Sequence, residues 1–300
     1  MQPEIVTIGH IVYDIRNYVQ EFPEPDHTAI MRMDPKVGGG GSAANVAINL
    51  SKLGFSSGVI GSVASDRHGR FLLSDLKEFG VDASQVRVFP KGMTGLSVII
   101  IDGKGEVRVI EDLGVCDHRR AIDPDYIRQS RFLHMSGCAF HLLDSASRLA
   151  SKAGIPISFD PGRAASRLGE RALSGVLKRC EYLIINRKEL FAMTHSREES
   201  AAVRLAKKYN LVCVIKQGGN ETIVKTKEAD SFAVQRFHVR PVDTLGAGDA
   251  LCAGFVAAVN EKKSLYESVR FANAVAAAKV LRQGAQSLPS RRFITEKFRV

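Results

Sequence analysis

Short apolar runs rich in β-branched residues alternate along this chain with stretches of helical periodicity. Residues 4–9, 57–63, 131–135, 155–160, 182–185 and 211–216 read as strands, and 67–79, 141–153, 169–179 and 198–209 as helices. Strand and helix in turn predict an α/β fold of three layers, αβα, whose mainly parallel central sheet carries helices on both faces. No linker rich in Pro, Gly or Ser and no internal repeat divides the chain, so residues 1–300 are expected to form a single domain. The rhythm breaks twice. Strand-like pieces at 12–19 and 29–33 flank Phe22-Pro23-Glu24-Pro25, and two apolar runs at 94–101 and 106–110 flank Asp102-Gly103-Lys104-Gly105, a hairpin pattern. These four pieces predict a small β-sheet lid, inserted from about 12–35 and 94–110, that keeps water from the chemistry.

Ligands of such folds gather at the carboxyl ends of the strands. The stretch with the most chemistry is 241–259. From Ala247 to Val259 it is apolar on nearly every side apart from Asp249, the pattern of a buried helix, and a Gly-rich turn opens it. The N–H groups of Gly246, Ala247, Gly248 and Asp249 at that helix start suit an anion, aided by the helix dipole. Asp249 either caps the helix or takes a proton from an attacking hydroxyl while the amides hold developing charge.

Three other stretches matter. Asp14 follows the first strand and Gly9, and either binds a ligand or satisfies its own turn. Residues 38–54 begin with four glycines that permit close backbone approach; Ser42 can cap, and Val46, Leu50 and Leu53 recur at helical spacing before Gly54. Asp160 and Arg163 follow another strand. Arg163, with Arg167 a turn beyond, either clamps a carboxylate or phosphate or pairs with a nearby acid. A dinucleotide fingerprint in its proper context and a G-x-x-x-x-G-K-[ST] loop are both missing, which disfavours an NAD-dependent oxidoreductase.

The net charge of +10 comes from scattered basic doublets without tryptophan, so no nucleic-acid partner is expected; the field suits either anionic substrates or simply a soluble surface. No apolar run reaches membrane-span length, and Met-Gln-Pro-Glu does not resemble a signal peptide, so a cytoplasmic location without a membrane partner follows. Cys116, Cys138, Cys180, Cys213 and Cys252 are widely spaced and read as reduced core residues. His134 and His141 lack a third ligand at zinc spacing.

Asp243-Thr244-Leu245-Gly246-Ala247-Gly248-Asp249 matches the D-T-x-G-A-G-D signature of the ribokinase-like (PfkB) carbohydrate and nucleoside kinases, and Gly40, Gly41 and Asn45 fit a second, G-G-x-x-x-N-type signature. The resemblance covers essentially the whole chain. It implies Asp249 as the base, with Gly246, Ala247 and Gly248 as the anion hole for the γ-phosphate. It also implies that Asp14, Gly40, Gly41, Asn45 and Asp160 contact the substrate. Asn186 and Glu189 match an N-x-x-E motif that influences the magnesium and phosphate requirement without binding metal directly. Lys216, Gly218, Thr244, Asn273 and Gly284 fall where relatives meet the nucleotide, although Lys216 and Glu221 depart from the T-x-G-x-x-G pattern and Gly162 replaces an Asn. ATP and Mg2+ are the implied cofactors, with a monovalent-cation loop near Asp243 and Ser287, and a homodimer through the lid.

The implied activity is phosphoryl transfer to a small sugar or nucleoside. Gly9-His10, Phe22-Pro23-Glu24-Pro25 and the loop at Phe159-Asp160-Pro161-Gly162 are similar to archaeal nucleoside kinases of this family; Arg163, Arg167 and Arg108 point instead to a sugar acid or sugar phosphate. A non-catalytic sugar or nucleotide sensor is the alternative from another class, disfavoured by the intact Asp249.

Overall fold

The computed structural model describes residues 2–228 and 231–300. Its strands are β1 (Ile5–Ile8), β2 (Val12–Tyr18), β3 (Lys36–Gly40), β4 (Ser57–Ala64), β5 (Val86–Phe89), β6 (Gly95–Ile101), β7 (Val107–Asp112), β8 (Phe132–Ser136), β9 (Ile157–Asp160), β10 (Tyr182–Asn186), β11 (Val212–Lys216), β12 (Thr222–Lys225) and β13 (Ser231–Val234). Its helices are α1 (Ser42–Lys52), α2 (Arg67–Glu78), α3 (Pro124–Arg128), α4 (Phe140–Lys152), α5 (Gly162–Ser166), α6 (Gly169–Leu177), α7 (Arg187–Thr194), α8 (Ser200–Tyr209), α9 (Ala247–Asn260), α10 (Leu265–Val280) and α11 (Arg291–Phe298).

Nine strands form one sheet in the order β13-β12-β11-β10-β9-β8-β1-β4-β5. Every pairing from β11 to β5 is parallel, and β12 and β13 add an antiparallel edge. Strand alternation places a core on each face. Leu183, Ile185, Cys213 and Ile215 pack with α4, α6 and α8 residues, whereas Ile184 and Val214 pack with α9, α10 and α11. The all-round apolar character of α9 follows from its place inside the second core, with Phe255 and Val256 fully buried. Expected strands and helices of this layer match within a few residues; β5, β12, β13, α3, α5, α7 and α11 were not legible, being short or lacking a long period.

A second sheet has the order β3-β2-β6-β7, with β2 parallel to β6 and antiparallel neighbours outside. One expected piece is misplaced: residues 29–33, exposed from Ile30 onward, contribute only the Val19–Met31 bridge, and the strand is β3 instead. The glycine run that looked like a turn approaching a ligand is therefore mostly strand. Its close approach is to its own neighbours. A Cβ on Gly38 would lie 2.9 Å from the Arg16 guanidinium, and one on Gly40 would run into the Asp14 carboxylate. Ser42 does not cap α1; Gly41, at φ 88°, is the residue before the helix and no side chain caps it.

Candidate active site

Two cavities meet at the start of α9. One of about 310 Å3 is lined by Lys216, Gly218, Thr222, Arg236, Phe237, Thr244, Ala247, Gly248 and Asn273 among others. The other, about 320 Å3, is lined by residues from both sheets: His10, Asp14, Gly41, Ser42, Asn45, Ser97, Glu111 and Arg163, with Thr244 to Asp249 as its floor. Thr244, Ala247 and Gly248 border both. An anion held there touches both chambers.

The turn is built by local constraints. Gly246 sits at φ 75° with its Cα against Ala285, where a Cβ would approach within 2.9 Å, so both conformation and space require glycine. Asp243 holds the turn from outside, its carboxylate accepting from the N–H groups of Leu245 and Gly284, each at 2.8 Å. The N–H groups of Gly246, Gly248 and Asp249 have no hydrogen-bond partner among the described residues, as an anion hole needs. Ala247 differs: its N–H donates to the Thr244 carbonyl at 3.2 Å, so this member of the expected hole is already engaged.

Asp249 accepts a 2.8 Å hydrogen bond from the Asn45 amide. Burial pushes its carboxyl up to about 6, against the lowering effect of the Asn45 bond; Asp160 adds to the rise, and Lys216 and Ser42 oppose it. A base tuned toward neutrality is suited to proton transfer. Asn45 therefore orients Asp249, while its Oδ1 is buried without a protein partner and faces no competing donor among the described residues. Asp14 is also raised, to about 7, chiefly by burial, with Arg16 and Ser97 opposing.

Other expected site residues are placed differently. Asp160 lines neither cavity: it is buried in an ion pair with Lys216, accepts from the Cys252 thiol at 3.3 Å and receives the Gly162 N–H at 3.2 Å. Burial acts against its charge, but Lys216 overcomes this and holds the carboxyl below its usual range, while Asp160 holds Lys216 above its own. Lys216 thus borders the first cavity already paired, rather than as a free phosphate ligand. Asn186 and Glu189 line neither cavity; they form a reciprocal capping box at the start of α7, which explains the N-x-x-E spacing by helix capping. Asn273 reaches the first cavity, but its amide is bonded to Thr222 and to the carbonyls of Val234 and Gln235. Gly284, at φ 94°, is outside that cavity, beside Arg16. Gly40 supports Asp14 from behind.

Arg163 is exposed to the second cavity, and its guanidinium makes no ion pair or hydrogen bond among the described residues. Of the other two arginines, Arg108 stacks on Phe22 at 3.9 Å and Arg167 lines neither cavity. Sequence reasoning missed His10 as a wall residue, where Asp117 holds its ring at 2.9 Å, and missed Ser97 and Glu111, which the second sheet brings beside Asp14. It also missed Arg236 and Phe237, which follow a short edge strand and carry no pattern. His134 is fully buried, bonded to Ser158 at 2.8 Å and lowered to about 4 by burial; His141 bonds the Arg119 carbonyl, and the five cysteines are buried free thiols.

The family described as pfkB family carbohydrate kinase matches residues 2–291. The chain is 33% identical to the ATP-dependent ribose-1-phosphate kinase of Halopiger xanaduensis, across 98% of this chain and 99% of the relative. In structure it is similar to Arabidopsis thaliana ribokinase complexed with ribose and ATP, with a TM-score of 0.86, 22% identity and full coverage of both chains. It is also similar to the Methanocaldococcus jannaschii nucleoside kinase, an archaeal member of the ribokinase family, with a TM-score of 0.81, 20% identity, and 100% and 99% coverage.

Proposed function

The chain belongs to the pfkB family of carbohydrate kinases, with a ribokinase-like fold, and from that premise we propose that it transfers the γ-phosphoryl group of ATP to a pentose that already carries a phosphate, ribose 1-phosphate being the acceptor of choice. The observation that carries this reading is the unpaired Arg163 in the same cavity as the polar side chains Asp14, Asn45 and Glu111. A guanidinium with no partner of its own suits a planar or tetrahedral anion, whereas a neutral sugar gives it nothing to neutralise. Similarity to the Halopiger ribose-1-phosphate kinase supports the same acceptor.

In this mechanism the first cavity takes the nucleotide and the second the sugar, and the turn between them receives the transferring group. Asp249 removes the proton of the attacking hydroxyl, held by Asn45. The N–H groups of Gly246, Gly248 and Asp249 stabilise charge on the phosphoryl oxygens. The second sheet, through Asp14, Ser97 and Glu111, covers the acceptor and keeps water out. Among the described residues no group of three or more His, Cys, Asp or Glu side chains could hold a metal. Magnesium, where the nucleotide brings it, would lower the charge on the phosphates beside the anion turn.

The test is ATP consumption with magnesium against ribose 1-phosphate, ribose and a set of nucleosides. Ribose 1-phosphate is expected to give the highest kcat/KM, and Arg163→Ala to raise its KM by roughly 10–100-fold, the loss of a charge-assisted hydrogen bond, while ribose is unaffected. Preference for a neutral acceptor would remove the phosphate reading and leave the sugar or nucleoside kinase.

The outer face of the second sheet supports a homodimer through the lid. Val37 and Ile110, aligned across the sheet through Ile15 and Val98, are exposed on the face opposite the cavity, Val37 by 50% and Ile110 by 67%. Sedimentation should give a dimer that Ile110→Lys splits into monomers with little change in melting temperature; a monomeric parent chain would end this reading.

A further inference from the structure

The loop between Asp243 and Ser287, the place that suggests a dissociable monovalent cation, does not fit one. The Asp243 carbonyl oxygen already accepts from the Lys279 ammonium at 2.9 Å, and the same nitrogen stands 4.0 Å from the Asp243 carboxylate. Both carboxylate oxygens also accept backbone N–H groups, from Leu245 and Gly284. The Gly284 carbonyl, a further oxygen of the loop, accepts the Ser287 hydroxyl at 2.7 Å. Lys279 itself is fully buried in the last turn of α10. A second cation lies close by: a Cβ on Gly284 would fall 2.9 Å from the Arg16 guanidinium. An added ion would have to displace one covalently tethered charge and sit near another, with like-charge repulsion and few free oxygens.

We propose that the Lys279 ammonium, tethered to its helix, does what a bound monovalent cation would do, fixing Asp243 and through it the anion turn, so that the kinase works without K+. The chain of contacts is short. Lys279 holds the Asp243 carbonyl, the Asp243 carboxylate holds the N–H of Leu245, and the next residue, Gly246, begins the turn. Lys279 is thus a positioning residue: it touches neither cavity but sets the geometry of groups that border both. A helix-ending lysine that only satisfied the end of α10 would give the same packing and no relation to ions.

The proposal rests on the kinase assignment and not on the identity of the sugar, and one arm of its test reads ion binding without turnover. The full chain is melted, and separately assayed, in choline chloride and in KCl at equal ionic strength. The parent chain is expected to show no K+-specific rise in melting temperature and to change turnover by less than about twofold, below the range of a real coupling. Lys279→Met is expected to lose about tenfold or more of kcat in choline, as a misaligned anion hole does, and to regain part of it, with a rise in melting temperature, when K+ is supplied. Activation of the parent chain by about fivefold or more, the lower end of such couplings, overturns the proposal. So does a thallium ion found in crystals of the parent chain between Asp243, Gly284 and Ser287, or a folded Lys279→Met that keeps parental turnover in choline. The two measurements on the parent chain decide the matter even where Lys279→Met fails to fold.

Discussion

Asp249→Asn is expected to bind ATP as the parent chain does and to lose roughly 10²–10⁴-fold in kcat, the contribution of a positioned general base. The amide keeps the size of the side chain and the α9 start, so the loss reports proton transfer rather than collapse of the turn. The pH profile gives a second reading of the same group. Burial raises Asp249 to about 6, so the base is ionised above that value and protonated below it. Activity is therefore present at neutral pH and lost as pH falls through about 6. Asp14, raised to about 7, adds a second acid-side group in kcat/KM, where the free enzyme titrates. In Asp249→Asn the limb near 6 should vanish from the residual activity. Turnover within a few-fold of the parent, or an unchanged acid limb, would take Asp249 out of the base role.

Lys216→Met is expected to cost about 3–5 kcal/mol of stability, because it leaves the Asp160 carboxylate buried without its partner. The Lys216 and Asp160 side chains are 11% and 9% exposed, so solvent screens the pair little. Asp160 is held below 3.8, its ordinary value, so the stabilisation is fully present above that pH and is lost as pH falls through the lowered folded value. Denaturant melts of Lys216→Met, Asp160→Asn and the double variant measure it. The double variant should recover much of the loss, since no charge then stays buried alone. A single-variant loss under about 1 kcal/mol would mark the pair as solvent-screened in the manner of surface pairs. The pair also explains how Lys216 can border the first cavity without a free charge: its ammonium is answered by Asp160 from β9.

Much of this arrangement was legible because it is local. The turn and its helix occupy consecutive residues, and the glycine that must adopt φ 75° lies three residues before the Asp249 carboxylate. The parallel layer was legible because its buried strands are short runs dominated by apolar residues, set between stretches of helical period, a signal that tertiary contacts only reinforce. Short elements were not. The antiparallel strands β12 and β13 have four residues each, too few to set a period, and β13 is partly exposed. The shift of the lid strand from 29–33 to β3 reverses a composition rule: glycine is a poor strand former, yet Gly38 and Gly40 are the residues able to pair beside Arg16 and Asp14.

By itself, then, the sequence determined the layered α/β fold and the placing of a carboxylate beside free amides at the start of α9, since each is written in neighbouring residues or in a repeating period. Which polar residues line the cavities was decided by the tertiary structure alone. Asp160 and Lys216 lie 56 positions apart and neutralise each other; Asn186 and Glu189 turn to their own helix end; Asn45 crosses 204 positions to orient Asp249. Arg163 stays unpaired and Lys279 meets Asp243 for the same reason: partnership of charges depends on distance in space, and buried charges take whichever partner the packed backbone brings within reach.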